Sequence, residues 1–198
     1  FDPSGTHLAT ASFDNTVRLW DAATGQSLEF AARHGDQLRD VAFSPDGSHL
    51  ATACADGHAR LYRWNDPGAG PDPVLLPRVR AKKFSQVMAV AFHPDDSMLL
   101  TVSSEGSLRR WSRAGEELGE ILLDGVRFGD VAITRDGGTV AALAPRMLYL
   151  WPYADLVRSA ANSQKAIRLP RNTYCYSVAF SPDGRQVAVA CTDSAVRL

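Results

Sequence analysis

The stretch Phe43-Ser44-Pro45-Asp46-Gly47 recurs along this chain of 198 residues and decides its fold. Copies, some altered, begin at residues 1, 92, 133 and 180 and read FDPSG, FHPDD, ITRDG and FSPDG. In such a turn the proline presets φ at the second position, the aspartate caps its own backbone and the glycine adopts the left-handed conformation. Each copy is therefore predicted to close one strand and open the next.

The spacing of these copies, about 41 to 49 residues, is typical of solenoids and propellers. Between the turns, short runs alternate apolar and polar residues or are rich in β-branched residues, which predicts strands. The predicted strands span 6–12, 16–21, 26–30, 38–43, 49–54, 58–64, 74–76, 87–92, 98–103, 107–111, 117–123, 128–133, 139–143, 147–151, 167–169, 176–180, 186–191 and 195 onwards. Residues 153–161 are compatible with one or two helical turns, and the Pro- and Gly-rich residues 65–73 predict a surface loop.

Units of four short strands at this period stack radially, because one small sheet cannot bury both of its faces alone. We predict an all-β chain, a partial β-propeller of about four to five blades. The repeats are expected at 1–33, 34–82, 83–123, 124–170 and 171–198, the first and last incomplete. We expect a fragment of a seven-bladed or larger propeller, whose open strand edges would self-associate if it were expressed alone.

Composition and charge are those of an ordinary soluble domain, with 45% hydrophobic and 22% charged residues and a formal net charge of −1. No basic block predicts binding to nucleic acid or to an anionic membrane. No apolar run is long enough to span a membrane. The cysteines Cys54, Cys175 and Cys191 lack a CxxC spacing and are interpreted as reduced thiols of a cytoplasmic protein.

Residues 8–21, LATASFDNTVRLWD, resemble the closing half of a WD40 repeat, and residues 34–46 resemble its opening half. The resemblance implies a structural hydrogen-bond network of a loop His, a hydroxyl, a turn Asp and an aromatic residue in each blade. The matching residues are His34, Thr52, Asp56 and Tyr62 in the second copy, Thr10, Asp14 and Trp20 in the first, and Trp111 and Asp193 in later copies. The set is incomplete elsewhere: Glu105 replaces the Asp, Val189 replaces the hydroxyl, and the fourth copy lacks the acidic residue.

His34, Asp56 and Thr52 also have the composition of a hydrolase triad, in which an acid orients a His beside a hydroxyl. However, Asp14 and Thr10 repeat the acid and the hydroxyl in another blade, which favours a structural role. The five histidines show no metal-ligand spacing. No Gly-rich phosphate loop follows a strand and opens a helix. We therefore predict no catalytic residues, no metal and no cofactor.

The resemblance also implies a partner-binding face, formed by the entries to the first strands and the turns between second and third strands. Residue types enriched in interface cores occupy several of these positions. The predicted face residues are Phe13, Gln37, Arg39, Gln86, Met88, Arg127, Tyr174, Tyr176 and Thr192. Phe13 is the most informative, because a large apolar side chain at an exposed turn favours a partner.

These observations predict a non-catalytic scaffold that binds protein or peptide partners and also contacts the remaining blades of its own propeller. An alternative is a regulatory or sensor segment of a larger signalling protein that carries a nucleotide-switch ATPase or a protein kinase. A propeller enzyme with its site in the central channel is a third class, and no convergent acid, base or metal set supports it.

Overall fold

The computed structural model describes residues 1–64, 74–76, 85–95, 97–158, 164–170, 174–193 and 196–197, and they are almost entirely β-strand. Five antiparallel sheets follow one another along the chain, and each is a meander of sequential strands. We call these sheets blades 1 to 5. Chain order within each sheet results from the short turns, because antiparallel neighbours need only a few connecting residues.

Blade 1 contains β1 (His7–Ala11), β2 (Thr16–Asp21) and β3 (Ser27–Arg33). Blade 2 contains β4 (Leu38–Phe43), β5 (His49–Cys54), β6 (Ala59–Arg63) and β7 (Val74–Leu75). Blade 3 contains β8 (Val87–Phe92), β9 (Leu99–Ser103), β10 (Ser107–Trp111) and β11 (Glu117–Leu122). Blade 4 contains β12 (Asp130–Ile133), β13 (Thr139–Ala144), β14 (Met147–Pro152), the short helix α1 (Tyr153–Val157) and β15 (Lys165–Arg168). Blade 5 contains β16 (Cys175–Phe180), β17 (Val187–Cys191) and β18 (Val196–Arg197).

The recurrent turn has the predicted geometry. In blade 2 the Gly47 amide donates to the Ser44 carbonyl at 2.9 Å, and Gly47 has a φ of 73°, in the left-handed region. The Asp46 carboxylate accepts hydrogen bonds from the Ser44 hydroxyl at 2.6 Å and from the Ser48 amide at 2.9 Å. The turn is therefore held by its own side chains, and it joins the first strand of a blade to the second.

The blades pack face to face in chain order. The first strands β4, β8, β12 and β16 contact one another in series, and β1 contacts β4. The cores lie between the blades, with Trp111, Trp151 and Phe128 among the largest fully buried side chains. This arrangement is a partial propeller, and the predicted all-β fold class is confirmed.

Most predicted strands are confirmed within one or two residues, and the predicted helical turn is present as α1. The largest difference is β3, which continues to Arg33 because Thr16 to Arg18 of β2 pair with residues 31–33. The predicted loop 65–73 lies outside the described residues. The proposed repeat boundaries stay predictions.

The interpretation of three reduced thiols is wrong for two of them. Cys175 and Cys191 are cross-strand partners on β16 and β17, and they form a disulfide. Blade 2 has Leu38 opposite Cys54 at the corresponding place, so Cys54 has no thiol to pair with. Cys54 is a free, buried thiol, and burial raises its pKa. The cytoplasmic location stays a prediction, and the disulfide removes the cysteine argument for it.

Within the described residues, no helix is both long enough and apolar enough to cross a bilayer.

Candidate partner-binding face

The positions chosen from the sequence meet at one end of the blades, which we call the upper face. At this end the residue preceding each first strand bonds to the turn between the second and third strands. The Ala55 amide donates to the Gln37 carbonyl at 2.9 Å, and the Thr192 amide donates to the Tyr174 carbonyl at 2.8 Å. The Pro-Asp-Gly turns lie at the opposite end, because consecutive antiparallel strands reverse direction.

A β-bulge in the first strand sets three of the face residues apart from the sheet. The pairing register shifts between Leu38 and Asp40, between Val87 and Ala89, and between Cys175 and Ser177. The extra residue in each case is a predicted face residue: Arg39, Met88 and Tyr176. A bulge leaves its extra residue without a cross-strand partner and redirects its side chain. The sequence predicted these positions but gave no sign of the bulge.

Arg39 joins three blades through its side chain. Its guanidinium lies over the Phe13 ring of blade 1, 5.1 Å from the centroid, and its Nη2 donates to Gln86 Oε1 of blade 3 at 3.2 Å. Phe13 is 64% exposed. Arg39 Nε is shielded from solvent and has no hydrogen-bond partner in the part of the chain that the structure describes. We call Phe13, Arg39 and Gln86 the Arg39 cluster.

A second group lies on blades 4 and 5. The Arg146 guanidinium is 5.9 Å from the centroid of the Tyr174 ring, and Tyr174 and Tyr176 are 52% and 68% exposed. The Thr192 hydroxyl accepts a hydrogen bond from the Tyr174 amide at 3.0 Å. The Cys175–Cys191 disulfide joins the two strands that carry these residues. Sequence reasoning missed Arg146, because its role depends on a ring in the neighbouring blade.

Arg127 and Met88 lie between these two groups along the chain. Arg127 is exposed and lines a shallow depression of about 190 Å³ with Ser104, Glu105 and Asp124. Met88 is half-buried. In the described part of the chain, no hydrogen bond, ion pair or ring contact joins the Arg39 cluster to Tyr174 or Tyr176.

Two half-buried carboxylates, Asp40 and Asp130, connect blades beneath this face. Asp40 accepts the Val90 amide of blade 3 at 3.0 Å, and Asp130 accepts the Val178 amide of blade 5 at 2.8 Å. Burial raises the pKa of Asp40 to about 6, and the charge of Asp130 adds to that shift. Burial also raises the pKa of Asp130. Both residues precede the Val-Ala pair of a first strand. This repeated Asp-Val-Ala sequence could have identified them, but the sequence predictions did not include them.

The tryptophans of the network make the same contact in blades 1 and 3. Trp20 Nε1 donates to the Thr10 hydroxyl at 2.9 Å, and Trp111 Nε1 donates to the Thr101 hydroxyl at 2.9 Å. The Asp14 carboxylate accepts a hydrogen bond from the Thr16 amide at 3.0 Å and forms an ion pair with Arg18. Asp193 is exposed in the turn after β17.

Blade 2 differs from the network that the resemblance implied. Tyr62 Oη lies 3.0 Å from His34 Nε2, and Arg60 Nη1 donates to His34 Nδ1 at 3.0 Å. Arg60, not His34, binds the Asp56 carboxylate, at 2.6 Å. Burial and the Arg60 charge lower the pKa of His34 to about 4, so its imidazole is neutral near pH 7. The Thr52 hydroxyl is buried and has no hydrogen-bond partner in the described part of the chain.

The contacts of a triad are not made here: Tyr62 and Arg60, not Thr52, contact the His34 ring nitrogens, and Arg60 binds Asp56. Across the ranges that the structure describes, no group of three or more His, Cys, Asp or Glu residues could hold a metal ion.

One family model matches the chain. The model described as WD domain, G-beta repeat matches residues 1–21, 26–63, 78–112 and 165–198, which together make up more than half of the sequence. No curated protein matches the chain. Residues 113–164 lie outside these matches, yet they contain β12, β13 and β14, which form a four-stranded sheet with β15. The chain belongs to the WD40 repeat family.

Proposed function

We propose that the chain is a non-catalytic platform that binds a protein or peptide partner on its upper face. WD40 repeats generally mediate protein–protein interactions, and this supports the general role. The observation that carries the proposal for this chain is the Arg39 cluster. It combines an exposed aromatic ring with a positioned guanidinium and draws on three separate blades.

Exposed aromatic and arginine side chains on this face favour the binding of a partner. The Phe13 ring is 64% exposed, and burying it under a partner would stabilise the complex. Arginine and aromatic side chains dominate interface energetics, because they bring large area and several donors at a modest entropic cost. Tyr174 and Tyr176 supply the same chemistry on blade 5. The partner therefore contacts several blades at once.

The test uses a triple variant, Arg39→Ala, Tyr174→Ala and Tyr176→Ala, immobilised beside the wild-type chain and exposed to a soluble cell extract. Quantitative mass spectrometry compares the proteins that each captures. Truncating a central interface residue costs about 2 kcal/mol or more, so captured partners should fall by more than about tenfold. The matched control is Arg135→Ala with Arg185→Ala, two exposed arginines at the opposite end of the blades.

Equal capture by the triple variant and the wild-type chain would reject this face. The thermal midpoint of each variant must stay near that of the wild-type chain, since these side chains contribute little to the core.

A further inference from the structure

We infer that the Arg39 cluster binds a carboxylate, and that the partner presents an Asp or Glu side chain beside an apolar one on an extended peptide segment. This inference rests on the proposed function and assigns a chemical class to the partner.

Arg39 is a positioned cation without an anion among the described residues. Within the described ranges it forms no ion pair, and its one hydrogen bond is to the neutral Gln86 amide. Its Nε–H is shielded from solvent and has no hydrogen-bond partner among the described residues, so a partner carboxylate would bind the Nη1 and Nη2 side of the guanidinium. A planar guanidinium offers a fork of N–H donors that matches a carboxylate.

Other arginines near the upper face already pair with carboxylates. Arg18 pairs with Asp14 at 2.9 Å, and Arg60 pairs with Asp56 at 2.6 Å. Asp40, which follows Arg39, accepts the Val41 and Val90 amides instead. Among the described residues Arg39 thus differs from Arg18 and Arg60 in having no carboxylate paired with it.

Further exposed acids on this face are Asp36, Asp124 and Asp193, and neither of the first two contacts Arg39 within the described ranges. Asp36 accepts the amide of Gln37 at 2.7 Å, and Asp124 lies beside Arg127 in the depression between blades 3 and 4. They set the charge of the rim, where exposed charges act weakly because solvent screens them.

Phe13 leaves apolar area open to a partner. One region of its ring lies under the guanidinium, and most of the remaining ring is open to solvent. A ligand that satisfied the cation alone would leave this apolar area exposed. An acidic side chain followed by an apolar one, alternating along an extended segment, would engage both. Arg146 over Tyr174 repeats the pairing and gives such a segment a second anchor.

The arrangement favours a carboxylate over a phosphate. Proteins that select phosphorylated segments use clusters of cations around the dianion. Here one guanidinium is flanked by a ring and a neutral amide, which suits a single negative charge.

The test measures fluorescence anisotropy of a short fluorescein-labelled peptide in which glutamate alternates with leucine. Parallel probes carry glutamine, lysine or phosphoserine in place of glutamate. One charge-assisted hydrogen-bonded contact is worth about tenfold in affinity, so the glutamate probe should bind about tenfold more tightly than the glutamine probe. Arg39→Ala should abolish that preference, Arg39→Lys should restore only part of it, and Arg135→Ala should retain it.

Equal binding of the glutamate and glutamine probes, or stronger binding of the lysine or phosphoserine probe, would overturn the inference. A preference that survives Arg39→Ala would also overturn it, because the carboxylate would then bind elsewhere. These failures differ from failure of the proposed function. If capture from extract depends on the face residues but the glutamate and glutamine probes bind equally, the proposed function is supported and the acidic partner is rejected.

Discussion

Replacing Thr101 with valine should destabilise the chain through one buried hydrogen bond. Thr101 accepts the Trp111 indole N–H at 2.9 Å, and both side chains are almost fully buried. Valine has nearly the same shape but no acceptor, so the indole donor would be left unpaired and out of reach of water. An unpaired buried donor costs about 1–3 kcal/mol, partly offset by the more apolar valine. We expect a net loss of about 1–2 kcal/mol.

Blade 1 provides the matched control, Thr10→Val. Trp20 donates to Thr10 at the same 2.9 Å, but both residues are partly exposed, so water can replace the lost acceptor. That variant should lose about 0.5 kcal/mol or less. Differential scanning calorimetry measures both, and about 1 kcal/mol corresponds to roughly 2–4 °C in the midpoint for a chain of this size. Equal losses at the two sites, or no loss for Thr101→Val, would refute the reasoning.

Three further variants probe other parts of the chain. Ala142→Ser places a hydroxyl where blades 1 and 3 have threonine. Trp151 Nε1 is buried and has no hydrogen-bond partner among the described residues, so this variant should be more stable than the wild-type chain by about 1 kcal/mol. Ala141→Ser, on the opposite face of the strand, should be less stable. Asp40→Asn should remove a pH dependence: the pKa of Asp40 is raised to about 6, so the wild-type chain loses about 2–3 kcal/mol as pH rises from about 4 to 6. Cys175→Ala should cost about 3 kcal/mol under oxidising conditions, because the disulfide closes a loop with a sequence separation of 16.

Controls for these variants follow from their causes. His34 gives the opposite pH slope, because its pKa is lowered to about 4 and its contribution is lost as pH falls below about 6.5. The wild-type chain and Asp40→Asn share the His34 contribution. The difference between their free energies of unfolding in urea, measured across pH, therefore isolates the contribution of Asp40. An unchanged pH slope would contradict that account. For Cys175→Ala, a reductant should bring both chains to similar stability, and a persistent difference would contradict the loop argument.

The strand pattern was predictable because the turns are local. Glycine, proline and aspartate act within a few residues of themselves, so β2, β4, β5, β8 and β10 have the predicted bounds. The cysteine interpretation failed for a different reason. Pairing of Cys175 with Cys191 depends on the register between β16 and β17, which the spacing of the cysteines does not reveal.

The candidate face was predictable in position but not in contacts. The repeat places Arg39 at the upper end of a first strand, but its contacts with Phe13 and Gln86 cross between blades. Such contacts depend on the angle between neighbouring sheets, which the sequence pattern does not encode. The unpaired Trp151 is different, because aligning Ala142 with Thr10 and Thr101 would have revealed it from the sequence alone.

Under the proposed function, the bulge in the first strand separates partner binding from stability. Its flanking residues Leu38 and Val87 are fully buried and hold the sheet in register. The extra residues between the paired positions are Arg39 and Met88 in blades 2 and 3, two chemically unlike side chains. Because a bulge residue has no cross-strand partner, its replacement changes neither the register nor the core. Variants at Arg39 should therefore alter partner binding at nearly constant stability, whereas Leu38→Ala should cost about 2–5 kcal/mol through the cavity that it leaves.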